Sequence, residues 1–205
     1  LPNKNIKLLG GIPLLVHSIN YAKHHDFIDA IYVSTDNNEI KDIALKQGTL
    51  VIDRPKELSG DLEPTVTALK HVLQSIPDGV ENVILLQPTN PLRPENLLKK
   101  AFQIFVENYC DSLFSVTRNH QKLGAIKDNI FYPFNYEIGQ RSQDLEPLYF
   151  ENGLLYITKS NEILNDKIIT PTSFPLVVNH PYGCIDIDTQ EDFDYAEYLL
   201  RRTLS

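Results

Sequence analysis

The chain has 205 residues and no methionine. It opens at Leu1-Pro2-Asn3-Lys4-Asn5, which reads as the inside of a loop, so the expectation is a gene product longer than these residues. Cysteine is nearly missing too, with only Cys110 and Cys184. Two thiols so far apart exclude a disulfide framework or a metal knuckle and predict two buried free thiols in a reducing, cytoplasmic setting. No apolar run approaches the ~20 residues of a membrane span. No segment has the order of a secretion signal either, so no membrane role is expected. The formal charge of −8 excludes the broad basic field that nucleic acid requires. A small anionic substrate would need local cations instead. Neither G-x-G-x-x-G nor G-x-x-x-x-G-K-[ST] occurs, which removes the standard dinucleotide and P-loop cradles. The six histidines show no metalloprotease spacing, and no serine and histidine share a nucleophile context.

What is present is ordinary for a globular protein: 42% hydrophobic and 22% charged residues. The length suits one α/β domain, residues 1–205, with a small appendage. Leu15, Ile19 and Ala22 have helical spacing. Ile28–Val33 reads as a buried strand that ends in Ser34-Thr35-Asp36. Asp36 with Glu39 has the capping-box pattern, and Gly48 would close the helix that follows. Leu50–Ile52 is a short strand. Thr65–Ile76 is a helix with Pro64 at its first position. Val83–Leu86 is a strand ending in the rigid loop Gln87–Arg93, and Pro94 opens the next helix. Ser112–Val116 is a further strand. Residues 119–150 are polar with interspersed aromatics and a hairpin near Asp128-Asn129, an inserted subdomain. Leu154–Ile157 and Ile185–Ile187 return to the sheet, and Thr189 with Asp192 caps a last amphipathic helix. The alternation predicts a doubly wound, mostly parallel sheet with helices on both faces.

Ligands of such sheets sit beyond the carboxyl ends of the strands. Those ends carry Thr35-Asp36, Arg54, Gln87–Arg93, Thr117-Arg118 and Asp188, three arginines among them. Ile185-Asp186-Ile187-Asp188 adds a second signal. In extended backbone, residues two apart share a face, so the isoleucines enter the core while both carboxylates stand together. Two carboxylates that close repel unless a cation lies between them. Mg²⁺ suits a site that also holds phosphates, because it takes only one or two protein carboxylates. The bland alternative is a solvated strand with two surface aspartates.

Six segments occur in order: Leu1-Pro2-Asn3-Lys4-Asn5, Val33-Ser34-Thr35-Asp36, Arg54-Pro55-Lys56-Glu57-Leu58, Leu85 through Arg93, Glu151-Asn152-Gly153 and Ile185-Asp186-Ile187-Asp188-Thr189. Together they resemble the acylneuraminate cytidylyltransferases, also called CMP-sialic acid synthetases. The resemblance implies the nucleotide-diphospho-sugar transferase type of fold with a small inserted dimerisation subdomain. It also implies activation of a nine-carbon 2-keto sugar acid, N-acetylneuraminate or a close relative, by CTP, with release of pyrophosphate. By position, Asp186 and Asp188 would hold Mg²⁺, and Lys4 and Asn5 would meet triphosphate and ribose. Arg54 and Thr65 would read cytosine, Gln87 and Tyr156 would line the sugar pocket, and Asn152 would be a further substrate-binding residue. Arg141 would take the sugar carboxylate. Each has a plain structural alternative, such as a loop lysine for Lys4, an ion pair with Glu57 for Arg54 and a core aromatic for Tyr156. The family's first strand and basic Gly/Ser loop are not among these residues. Asn90 stands where a serine is common, a position that could bear on substrate choice. Legionaminate, pseudaminate and the eight-carbon 3-deoxy-manno-octulosonate are alternative sugar acids. A non-catalytic nucleotide-sugar-binding homologue and a metal-dependent glycosyltransferase are the other readings. The resemblance further implies a homodimer made through residues 119–150, where Phe131, Tyr132, Phe134 and Tyr136 would otherwise be exposed.

Overall fold

The computed structural model describes residues 1–60 and 62–204. After a 3-10 turn at Lys4–Ile6, the elements are β1 (Leu8–Leu9), β2 (Ile12–Pro13), α1 (Leu14–Lys23), β3 (Tyr32–Thr35), α2 (Asn38–Lys46), β4 (Leu50–Asp53), α3 (Thr65–Ser75) and β5 (Asn82–Leu85). Then come α4 (Leu97–Glu107), β6 (Ser112–Asn119), β7 (Gly124–Lys127), β8 (Ile130–Pro133), β9 (Leu148–Lys159), α5 (Ser160–Leu164), β10 (Phe174–Val177) and α6 (Gln190–Leu204).

Among the described residues the main sheet has four strands in the order β10-β6-β9-β5, and β3 with β4 forms a separate parallel pair. β9 runs against both β5 and β6, while β10 is parallel to β6, so only β9 is reversed. Opposed residues share a face. Leu85, Tyr156 and Phe114 therefore lie on one side of the sheet, and Ile84, Ile157 and Leu113 on the other. α4 buries Leu97, Leu98, Ala101 and Phe105 in one core cluster with Leu113, Leu155 and Ile157. α6 packs Phe193, Ala196 and Leu199 with Leu9, Leu14, Ile185 and Ile187 in a second cluster. α1 and α2 pack with β3 and β4 in a third.

The helical spacings hold, with shifts at the ends. β3 starts at Tyr32, so Ile28–Ala30 lie outside it. Asn37, not Asp36, caps α2: its side chain accepts from the Glu39 and Ile40 amides at 2.8 and 3.1 Å. Pro64 is the residue before α3, not its first. α4 begins at Leu97, because Pro94 only opens a turn closed by Leu97 N–H to Pro94 O. Thr189 and Asp192 do form the expected capping pair of α6. The hairpin β7–β8 turns on Asp128 and Asn129, both left-handed at φ 51 and 61. Its Phe131 and Tyr132, with Phe134 beyond, are exposed.

Two strand readings change. Ile185–Ile187 joins no ladder among the described residues; it is tied to the loop after β5 by Ile187 N–H to Thr89 O at 2.9 Å and by the Asn90 side chain, which donates to Ile185 O. β10 was hidden by Pro175, which an edge strand tolerates and a central one does not. Of the two cysteines, Cys110 is buried but Cys184 is exposed, since it ends the turn Pro181–Cys184 with its neighbours Tyr182 and Gly183 taking the inner positions.

Candidate active site

The site is built around an irregularity in β9. Opposite Phe114 stands Tyr156, but opposite Val116 stands Glu151, so β9 spends five residues where β6 spends two. Gly153 absorbs the excess at φ 70. A side chain there would be strained, and its Cβ would lie 2.6 Å from Asn90 Oδ1. The odd count brings Glu151 onto the face of Tyr156, whose hydroxyl donates to Glu151 Oε2 at 3.4 Å. Together with the start of α3 and the end of β5, they line a cleft of about 360 Å³. Thr65, Gln87, Glu151 and Tyr156 are all in its wall. Three residues expected from the sequence are therefore gathered in one cleft, and Glu151 is an addition. Only the strand register, invisible in the sequence, reveals it.

Burial, the Glu151 carboxylate and then Asp186 push the Tyr156 phenol up to about 12. It stays a neutral hydroxyl near pH 7. Ile185 and Ile187 are buried while Asp186 and Asp188 are exposed, as the alternation predicts. Asp188 already attracts a cation: Lys4 Nζ lies 2.5 Å from its Oδ1. The amides of Asp188 and Thr189 donate to Asp192, which fixes the segment at the head of α6. Among the described residues no group of three or more His, Cys, Asp or Glu side chains is placed to hold a metal ion. A pair of exposed carboxylates is a donor set for a hydrated divalent ion completed by phosphate, not for a closed protein cage.

The loop after β5 locks these parts together. Asn90, 1% exposed, donates to Asn152 O at 3.0 Å and Ile185 O at 2.5 Å. Asn90 is thus spent inside the protein, and its side chain does not face a substrate. The same holds for Asn152: its Oδ1 accepts from Ser115 and the Leu154 amide, and its Nδ2 donates to Thr117. Its expected substrate-binding role becomes a supporting one, because the backbone kink at Gly153 needs its buried polar groups satisfied. Arg93 is buried as well. It donates to Leu154 O, Ser18 Oγ and Gln87 O at 2.6, 2.9 and 2.8 Å, pinning the loop to β9 and α1. Burial pulls its pKa down to about 9, still charged at neutral pH.

The remaining candidates lie outside the cleft lining. Arg54 does not pair with Glu57; it donates to Ser34 Oγ at 3.1 Å and Ser34 O at 2.5 Å. Burial lowers its pKa, with Asp36 opposing. α3, which begins at Thr65, packs against β3, the strand that carries Ser34. Asn5 is half-buried in the 3-10 turn next to Lys4. Arg141 is exposed and its fork is closed on Asp144, at 2.8 and 3.0 Å.

A family model described as cytidylyltransferase matches residues 1–202. The chain belongs to the cytidylyltransferase family. Its relatives include an N-acylneuraminate cytidylyltransferase of Streptococcus agalactiae serotype V, 32% identical over 94% of this chain and 48% of that protein. A pseudaminic acid cytidylyltransferase of Campylobacter jejuni is 33% identical over 98% of this chain and 90% of that protein. A CMP-N,N'-diacetyllegionaminic acid synthase of Legionella pneumophila is also 33% identical, with the same coverage of 98% and 90%. The chain thus spans about half the length of the streptococcal relatives and nearly all of the other two. A solved CMP:2-keto-3-deoxy-manno-octonic acid synthetase complexed with CTP shares the fold, with a TM-score of 0.73 at 14% identity over 99% of this chain and 93% of that one. No helix among the described residues is long and apolar enough to cross a membrane.

Proposed function

We propose that this cytidylyltransferase-family chain transfers CMP from CTP to a nine-carbon 2-keto sugar acid of the sialic, pseudaminic or legionaminic type, releasing pyrophosphate. The observation that carries the reading is the shared cleft of Thr65, Gln87 and Tyr156, together with the exposed carboxylate of Asp188 paired with Lys4. The anomeric hydroxyl attacks the α-phosphate in line, so the protein's work is positioning and charge stabilisation.

Thr65, with Arg54 behind β3, would read the cytosine edge. Gln87 offers both a donor and an acceptor to sugar hydroxyls. Tyr156 keeps its proton and donates; it is no base at neutral pH. Lys4 and Asn5 would face triphosphate and ribose, Lys4 leaving Asp188 for the phosphates. Asp186 and Asp188 would hold a divalent cation, Mg²⁺ by its preference for waters and phosphate. When bound, such an ion neutralises phosphate oxygens and makes the attacking hydroxyl more acidic. The exposed aromatics of residues 119–150 favour a homodimer through that insertion, and Arg141 would enter a sugar pocket only across it. CTP and a free sugar acid put the reaction in the cytoplasm.

The test is pyrophosphate release by the full-length protein, crossing CTP, UTP and ATP with N-acetylneuraminate, legionaminate and pseudaminate. Turnover with CTP and one or more of these sugars is expected. No CTP-dependent release with any of them rejects the reading.

A further inference from the structure

The cleft holds a contradiction for an acidic substrate. Among the described residues its charged groups are Glu151 and Asp166, and Lys70 is bound to Asp166 at 2.8 Å. Thr65, Gln87 and Tyr156 are neutral. Among the described residues of the wall none can neutralise a sugar carboxylate. Of the three arginines at strand ends, Arg54 and Arg93 are spent on protein acceptors. Arg141, in the insertion, is spent on Asp144.

Arg118 is different. It is half-buried at the carboxyl end of β6, and its Nε is shut off from solvent without a hydrogen-bond partner. Among the described residues its guanidinium makes no hydrogen bond and no ion pair. A buried donor left unpaired costs free energy that a ligand would recover. The register tells where it stands. Val116 opposes Glu151 and Arg118 opposes Tyr149, so Arg118 shares the face of Glu151, two residues or roughly 7 Å further along. The bulge at Gly153 that turns Glu151 into the cleft therefore sets the pair Arg118–Tyr149 on that face as well.

We infer that Arg118 binds the carboxylate of the sugar acid and thereby selects acidic sugars. The inference rests on the cytidylyl-transfer reading above. A guanidinium fork matches a carboxylate bidentately, and a half-buried one does so with less competition from water. Glu151, nearby on the same face, would repel a carboxylate placed deeper, which leaves the Arg118 end as the favourable berth.

The experiment uses the full-length protein with CTP and whichever of the three sugar acids the wild type turns over fastest, beside the methyl ester of that sugar. Arg118→Gln should raise the KM for the acid roughly ten- to hundredfold. The CTP KM should move by no more than about twofold. The preference of the wild type for acid over ester should collapse in this variant, and Arg118→Lys should restore part of it. Thermal melting and solution mass are followed for both variants. A preserved acid-over-ester preference in Arg118→Gln overturns the assignment. So does a rise in the CTP KM equal to that for the sugar, which would mark a phosphate contact. A changed solution mass with both KM values raised would instead assign Arg118 to a subunit interface, and loss of the preference in Arg141→Gln alone would hand the role to Arg141. A wild type that is silent with all three sugar acids fails the functional reading itself, before any Arg118 variant is made.

Discussion

Replacing Asn90 should unsettle the protein more than any surface change in the same loop. Its amide donates to two backbone carbonyls, Asn152 O at 3.0 Å and Ile185 O at 2.5 Å, at a position 1% exposed. Asn90→Ala removes both donors and leaves a small void. A buried acceptor deprived of its partner costs about 1–3 kcal/mol, and partial collapse returns some of that, so a loss of about 3 kcal/mol is expected. For a chain of this size, that corresponds to a fall in Tm of roughly 6–12 °C. Asn90→Asp, though nearly isosteric, should cost more than Ala, because it sets a carboxylate against two carbonyl oxygens. The assay is urea denaturation, read as a change in midpoint at constant slope. A loss below about 1 kcal/mol for Asn90→Ala, or an Asn90→Asp variant as stable as the Ala one, refutes this role of the Asn90 amide.

Asp188→Asn should abolish turnover while leaving the melting curve nearly unchanged, since its carboxylate is exposed and holds only Lys4; full activity of this variant with Mg²⁺ would remove the metal assignment. Lys4→Gln frees Asp188 of its resident ammonium, so Mn²⁺ titration without nucleotide, followed by electron paramagnetic resonance, should show tighter binding than wild type, while CTP binds more weakly. Equal Mn²⁺ affinity in both proteins would mean that Lys4 does not compete for the site. Tyr156 should make stability fall as pH rises from 10 toward about 12, because the unfolded phenol ionises at its ordinary value while the folded one keeps its proton. The difference between the denaturation midpoints of wild type and Tyr156→Phe should therefore change across that window and stay constant below it. A difference that does not change with pH throughout would deny the perturbation.

The parts of the site that the sequence discloses are those governed by local periodicity. Ile185 and Ile187 point inward and Asp186 and Asp188 outward because extended backbone alternates, whether or not it joins a ladder. Thr65 and Gln87 were legible as the ends of a helix and a strand. What stayed hidden depends on partners far away in the chain. Asn90 and Asn152 look like ligand-binding amides in a polar loop. Only their distant partners show that Asn90 is consumed in holding the loop to β9 and Asn152 in tying β9 to Ser115 and Thr117 of β6. Glu151 could not be assigned a face without knowing that β9 spends five residues against two of β6. Asp36 and Asn37 compete for one helix cap on equal chemical terms, and backbone geometry chose Asn37.

The proline in β10 has a consequence beyond placing that strand. Val178 N–H bonds Val116 O, so even-numbered residues there aim their amides at β6, and the missing amide of Pro175 falls on the outer rim. A foreign β-segment seeking to extend the sheet would find a gap in the row of donors it needs. The molecule thus carries its own guard against fibril growth on that flank, placed where it sacrifices no bond to β6.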